Sequence, residues 1–185
     1  MKPKGVIIHY FSAKNVDKPR EFDLDACRDL MIDLNSPREF REHYLKDPKS
    51  PASRMYASAH IFIARDGETW KLVDFDKQAY HAGHSIMNDQ KNCNAWTLGV
   101  ELIGTITSGF TDDQYIQLAK LLVVWMDQFE FSLVDVAGHD TVRNAAILDG
   151  QTEKKKYDPS GKSDGKGDNF DWPKLYNYIS LEMGS

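Results

Sequence analysis

Cysteine is nearly absent: Cys27 and Cys93 are the only two in 185 residues. Two thiols cannot build the disulfide framework of a small secreted scaffold, and they suit a reducing compartment. Long apolar runs are missing too, and nothing approaches the roughly 18–20 residues needed to cross a bilayer. The start, Met1-Lys2-Pro3-Lys4-Gly5, passes straight into Val6-Ile7-Ile8 with neither a leader's apolar block nor a small-residue cleavage pattern. The expectation is a cytoplasmic chain without membrane insertion. Basic charge is not in excess, since 23 Lys and Arg stand against 28 Asp and Glu, a formal net charge of -5. Such a chain has no global field to draw nucleic acid, so a nucleic-acid partner is not expected. In the basic cluster Lys154-Lys155-Lys156, the first two lysines read as a solvated loop. Repeats and interdomain linkers are also lacking, so residues 1–185 are expected to form one domain, acting as a monomer.

Hydrophobic residues make up 41% of the chain and charged residues 28%, a balance that favours a packed globular core over disorder. Gly5 to Phe11 reads as a short β-branched strand ending on His9-Tyr10. Leu24, Cys27, Leu30, Met31 and Leu34 share one face of a helix, and Ser36-Pro37 opens a second one through about Leu45. Runs 58–64 and 68–74 flank Asp66-Gly67, a hairpin signal. Residues 74–94 are polar and irregular, a candidate binding loop. Thr97 to Ile103 is another strand, and Thr111-Asp112-Asp113-Gln114 is close to a capping box that opens a helix through about Phe129. A short strand over 133–137 leads to Gly138-His139, 144–169 reads as a long loop, and 170–181 closes the chain as a helix. The order implies an α/β fold, a single mixed sheet with helices packed on it.

Residues able to do chemistry fall at strand ends or in the loops that follow them, where open α/β sheets place their sites. Lys156 and Asp158 are two apart, so in an extended segment their side chains point the same way. His9 and His139 each follow an apolar run. Two imidazoles and a carboxylate form a ligand set suited to a hydrolytic zinc site, which uses three protein ligands and leaves a fourth position for water. Each residue has a plainer reading: a histidine after a strand is often a satisfied core residue, and Asp before Pro forms turns. Glu101 is an ionisable group inside Leu98-Gly99-Val100-Glu101-Leu102-Ile103. It is either a buried carboxylate poised as a general base or the solvent-facing position of an alternating strand. His81, His84 and Cys93 could be read as a second metal site, but no fourth ligand is evident nearby. His81 is better read as a cleft residue. His60 suits a core or supporting role better than ligation, and Trp96 is open between contacting a sugar and filling the core.

Five segments in order carry a resemblance. They are Ile7-Ile8-His9; Ser58-Ala59-His60 leading to Asp66-Gly67; Tyr80-His81-Ala82-Gly83; Leu98-Gly99-Val100-Glu101; and Gly138-His139 with Lys156-Tyr157-Asp158-Pro159 and Phe170-Asp171-Trp172. The chain resembles the zinc-dependent N-acetylmuramoyl-L-alanine amidases, which include phage lysozyme-like amidases, anhydromuropeptide-recycling amidases and peptidoglycan recognition proteins. The resemblance implies the fold of that family, a Zn2+ cofactor held by His9, His139 and Asp158, and catalysis by Glu101 and Lys156. Glu101 would act on the zinc-bound water and Lys156 on the oxyanion at the lactyl carbonyl, where a fixed cation is a large catalytic term. His60, His81 and Trp96 are its candidate substrate-binding residues. The partner would be peptidoglycan or a muropeptide, in cytoplasmic recycling or as a phage endolysin released at lysis; a non-catalytic binding module is the alternative. Asp158 and Ala59 place the chain with the members that use an Asp ligand and a Glu base. Non-catalytic recognition proteins lack the third ligand, so Asp158 argues against that class. Residues 160–169 lengthen the usual link to Phe-x-Trp.

Overall fold

A computed structural model describes residues 1–11, 32, 35–36, 57–104, 108–153 and 170–184. Its strands are β1 (Val6–Phe11), β2 (Ile61–Ile63), β3 (Thr69–Lys71), β4 (Ile86–Met87), β5 (Gln90–Lys91), β6 (Leu98–Ile103) and β7 (Val136–Gly138). Its helices are α1 (Asp112–Phe129), α2 (His139–Leu148) and α3 (Trp172–Gly184). Five strands form one sheet in the order β3-β2-β6-β1-β7, while β4 and β5 make a separate hairpin. β1 runs parallel to both β6 and β7, β2 runs parallel to β6, and β3 runs antiparallel to β2. The fold is thus an α/β mixed sheet with helices packed on it.

Period-two alternation gives the sheet two unlike faces. Val6, Ile8, Ile61, Ile63, Leu98, Val100, Leu102 and Val136 make one apolar face. Against it pack Leu118, Leu122 and Trp125 of α1, and Leu175 and Ile179 of α3. Burying a side chain of this kind is worth about 1.5–3 kcal/mol, so this face carries much of the hydrophobic stabilisation. The residues between them point the other way: Ile7, His9 and Phe11 on β1, Gly99, Glu101 and Ile103 on β6. Because His9 pairs with Glu101 in the ladder, their side chains share a face and a level.

Helix α1 starts as its sequence predicts. Thr111 Oγ1 accepts from the Gln114 N–H at 3.2 Å, and Gln114 Oε1 accepts from the Thr111 N–H at 3.1 Å, a complete capping box. Gln114 does more than cap. Fully buried, it donates from Nε2 to the carbonyls of Ile63 at 3.2 Å and Ile103 at 3.0 Å. One amide therefore ties the ends of β2 and β6 together, and Arg65 Nη1 donates to the same Ile103 carbonyl at 3.4 Å.

Three expectations change in detail. The span 133–137 is a 3-10 turn at Leu133–Asp135 followed by β7 at Val136–Gly138. The start of the expected loop 144–169 is helical, since α2 runs from His139 to Leu148. The buried side of α2 consists of His139, Asp140, Val142, Arg143 and Ala146, too polar to leave an apolar stripe in the sequence. Lastly, 74–94 contains the β4–β5 hairpin, turned by Asn88 (φ 50°) and Asp89 (φ 61°). Both central residues have positive φ, as a tight hairpin turn of matching twist requires. The expected helices over 23–34 and 37–45 lie outside the described residues, except that Ile32 and Asn35 are helical. Among the described residues no helix is long and apolar enough to cross a membrane.

Candidate active site

Three neighbouring parallel strands bring the site together. In the order β6-β1-β7, Glu101 pairs with His9, while Ile8 pairs with Gly138, the residue before His139. His9 and His139, 130 positions apart, thus arrive side by side at the carboxyl end of the sheet. Both are buried, at 1% and 3% exposure. Their rings lie 4.5 Å apart between centroids, with Nδ1 facing Nδ1 at 3.0 Å.

The neighbours fix which nitrogens hold protons. His139 Nε2 lies 3.2 Å from the Ala82 carbonyl, which can only accept, so this nitrogen carries the hydrogen. The Nδ1 lone pair of His139 is left aimed at His9. Arg143, one helical turn further along α2, donates from Nη2 to the same carbonyl at 3.2 Å. Gly83 (φ 56°) leaves room for this guanidinium, since a Cβ there would stand 2.7 Å from Nη2. Glu101 completes the face, half-buried with Oε2 shielded from solvent.

Two imidazole nitrogens 3.0 Å apart need a proton or a cation between them. A tetrahedral zinc with Zn–N bonds of about 2.0–2.1 Å sets two nitrogens about 3.3 Å apart, so the pair fits one ion with little adjustment. The bond from His139 Nε2–H to a backbone carbonyl is also the usual support of a metal-binding histidine. Among the described residues no group of three ligating side chains converges. Asp158 and Lys156, expected as third ligand and oxyanion stabiliser, lie outside the described residues.

The remaining candidates separate clearly. His81 joins the site, its Nδ1 3.1 Å from His9 Nε2. Burial first, then repulsion from the imidazoles of His9, His60 and His139, holds its pKa well below the ordinary histidine value. It is therefore neutral. His60 is fully buried. Its Nδ1 accepts from the Gly99 N–H at 2.9 Å, so the proton sits on Nε2, 3.0 Å from the Lys77 carbonyl. Burial lowers its pKa, against a smaller opposite pull from that carbonyl. Both nitrogens are committed to backbone, which makes His60 a brace between β6 and the 74–94 segment rather than a substrate contact. Trp96 corrects the sugar-contact expectation: it is 7% exposed, packs with Ile7, Met87 and Val142, and donates Nε1–H to the Lys91 carbonyl at 3.2 Å. His84 is exposed while Cys93 is buried, and among the described residues no second metal site forms there.

Sequence reasoning missed Asn94 and Gly99. Asn94 Oδ1 accepts from the N–H groups of His81 at 3.0 Å and Ala82 at 2.8 Å, pinning the segment that carries both the His81 ring and the Ala82 carbonyl. Gly99 gives the His81 ring its space. No periodic signal marks either residue, though Gly99 inside an apolar strand is the usual sign of a close approach. Two apolar grooves, about 550 Å³ along β7 and α2 and about 850 Å³ between α1 and α3, are lined by neither Glu101 nor any histidine.

A profile described as N-acetylmuramoyl-L-alanine amidase matches residues 1–161. The chain belongs to this amidase family. It is an enzyme, an amide hydrolase. Among its relatives, the 1,6-anhydro-N-acetylmuramyl-L-alanine amidase AmpD of Salmonella typhimurium (strain LT2) is 31% identical over 183 residues, 97% of this chain and 82% of that protein. AmpD of Citrobacter freundii is 34% identical over 176 residues, 94% of this chain and 79% of that protein. The fold matches a crystal structure of a selenomethionine AmpD derivative with a TM-score of 0.69 at 28% identity, covering 97% of this chain and 86% of the other.

Proposed function

We propose that this amidase cuts the amide between the lactyl group of N-acetylmuramic acid and L-alanine in soluble anhydromuropeptides, using zinc held by His9, His139 and Asp158. The observation that carries the reading is the pair of facing Nδ1 atoms at 3.0 Å, with the Glu101 carboxylate level with His9 on the same sheet face. The relatives at 31% and 34% identity are named for the anhydro substrate, which favours soluble muropeptide over polymeric wall. The same reading takes residues 1–185 as one catalytic domain working in the cytoplasm.

When bound, zinc would lower the pKa of a water to about 7 and polarise the amide carbonyl. The chain's own residues do the rest. His139 is held in one tautomer by the Ala82 carbonyl, so its ligating nitrogen is set before any ion arrives. Glu101 takes the proton of the attacking water and returns it to the leaving amine of L-alanine, a role suited to a partly desolvated carboxylate. Lys156 holds the negative charge that develops on the lactyl carbonyl oxygen. Trp96, Ile7 and Val142 form one apolar cluster with Ala82, whose carbonyl holds His139.

The test is to digest soluble anhydromuropeptide and intact sacculi in parallel, with mass analysis of the products. Release of a stem peptide with a free L-alanine amine from the soluble substrate is expected. Release from sacculi alone would overturn the substrate assignment, and a purified chain that neither contains nor takes up zinc would overturn the metal assignment.

A further inference from the structure

The row of paired residues that holds the site continues to the sheet edge. His9 pairs with Glu101, Glu101 with Phe62, and Phe62 with Trp70 on β3, the last strand of the sheet among the described residues. Paired residues share a face, so Trp70 stands on the same face as Glu101, two strand spacings or about 10 Å away. Its indole lies flat against the Phe62 ring, with centroids 4.8 Å apart at 12°, and Phe62 is fully buried. The indole Nε1–H donates to Glu68 Oε1 at 2.7 Å, which fixes the rotation of the ring. Phe62 covers one face of the indole, and the opposite face looks out over the sheet edge. Of the four tryptophans, Trp96, Trp125 and Trp172 are buried at 7%, 2% and 6% exposure, while Trp70 is half-buried.

We infer that Trp70 and Glu68 form a subsite for a second sugar, the one linked to the muramyl residue whose lactyl amide is cut. This rests on the muropeptide reading given above. A pyranose ring has a flat face of C–H bonds, which suits the apolar face of an indole, and a rim of hydroxyl and N-acetyl groups. Glu68 is exposed, and a carboxylate that accepts one bond from the indole keeps lone pairs for a hydroxyl donor on that rim. Local charge selects sugar over peptide. Asp66 and Glu68 are both exposed, and Asp66 Oδ1 accepts from the Glu68 N–H at 3.0 Å. The neighbouring cations are engaged elsewhere: Lys71 points to the other face and pairs with Asp74 at 2.8 Å, and Arg65 donates to the Gly109 carbonyl at 2.6 Å. A stem peptide brings at least its terminal carboxylate, which this acidic corner repels, whereas a neutral sugar meets no such repulsion. The distance agrees. At about 10 Å from Glu101 the indole is too far for the sugar that carries the scissile amide and within reach of the next one.

A pair of muropeptides tests this, one carrying anhydro-N-acetylmuramic acid alone and one carrying an N-acetylglucosamine on it. The zinc-loaded enzyme should cut the second with a kcat/KM about 3–10-fold higher, through a lower KM. Trp70→Ala should bring that ratio to about 1, and Trp70→Tyr, which keeps a ring against Phe62, should retain part of it. A variant that is merely damaged loses rate on both substrates alike and keeps the ratio, so an unchanged ratio in Trp70→Ala overturns the inference. The parent supplies a readout free of mutation. Because the other tryptophans are buried, acrylamide quenching of the fluorescence reports chiefly on Trp70. Quenching should fall when the peptide-free disaccharide is added and remain unchanged with anhydro-N-acetylmuramic acid alone. No change with the disaccharide, or an equal change with both, also overturns the inference. A parent that cuts both muropeptides equally well rejects the subsite and leaves the amidase reading standing, whereas a parent that cuts neither rejects that reading and the subsite with it.

Discussion

His60 offers the sharpest test of how the site is held. It is fully buried, and its ring joins two backbone groups from different segments, the Gly99 N–H and the Lys77 carbonyl. Replacing it with leucine keeps a similar volume but strands both groups. A buried polar group left without a partner costs about 1–3 kcal/mol, so stranding two should destabilise His60→Leu by about 2–6 kcal/mol at pH 7.5. The pH response then separates this cause from mere repacking. Burial lowers the pKa of His60 below its ordinary 6.5, so the folded state prefers the neutral ring. Its contribution is complete above pH 6.5 and declines as the pH falls through 6.5 toward the lowered folded value, because the unfolded chain takes up the proton first. One group can lose at most about 1.4 kcal/mol per pH unit over that window. Urea unfolding of zinc-free parent and variant at pH 7.5 and 5.5 measures both terms. The parent should lose more stability than His60→Leu between the two pH values. Equal losses, or a leucine variant as stable as the parent at pH 7.5, would refute the bracing role.

Other outcomes follow from the same geometry. Glu101→Gln keeps the size of the side chain but removes the base, and should lower kcat about 10²–10⁴-fold while zinc content, measured by atomic absorption, stays unchanged. Gln114→Leu leaves the Ile63 and Ile103 carbonyls without their amide donor and should cost about 2 kcal/mol or more, seen as a lowered Tm with KM unaffected. Asp158→Ala should weaken zinc binding in a chelator competition, whereas Lys156→Ala should retain zinc and lose most turnover; full activity in Lys156→Ala would contradict its assigned role.

Much of the scaffold was legible because its elements follow local rules. The β-branched run before His9, the Asp66-Gly67 hairpin and the Thr111–Gln114 capping box each depend on a few adjacent residues, and each forms as its sequence implies. Helix α2 was not legible, because its buried side carries His139, Asp140 and Arg143 in place of an apolar stripe. Only the fold makes burial of those groups tolerable, by supplying the Ala82 carbonyl as partner to His139 and Arg143. The β4–β5 hairpin was missed for a simpler reason, since Asn88-Asp89 turns two-residue strands too short to show alternation.

By itself, the sequence determined the residue types able to do the chemistry: two histidines, a strand carboxylate and the ordered motifs that join this chain to the amidases. Their meeting depended on strand order. Placing β1 between β6 and β7 sets Glu101, His9 and His139 in one row, a juxtaposition of residues up to 130 positions apart that no local pattern encodes. The protonation pattern was decided only at that level too. Which nitrogen of an imidazole holds its hydrogen depends on the groups facing it. Here those groups are the Ala82, Lys77 and Gly99 backbones and a third ring, His81, admitted by a glycine in the neighbouring strand.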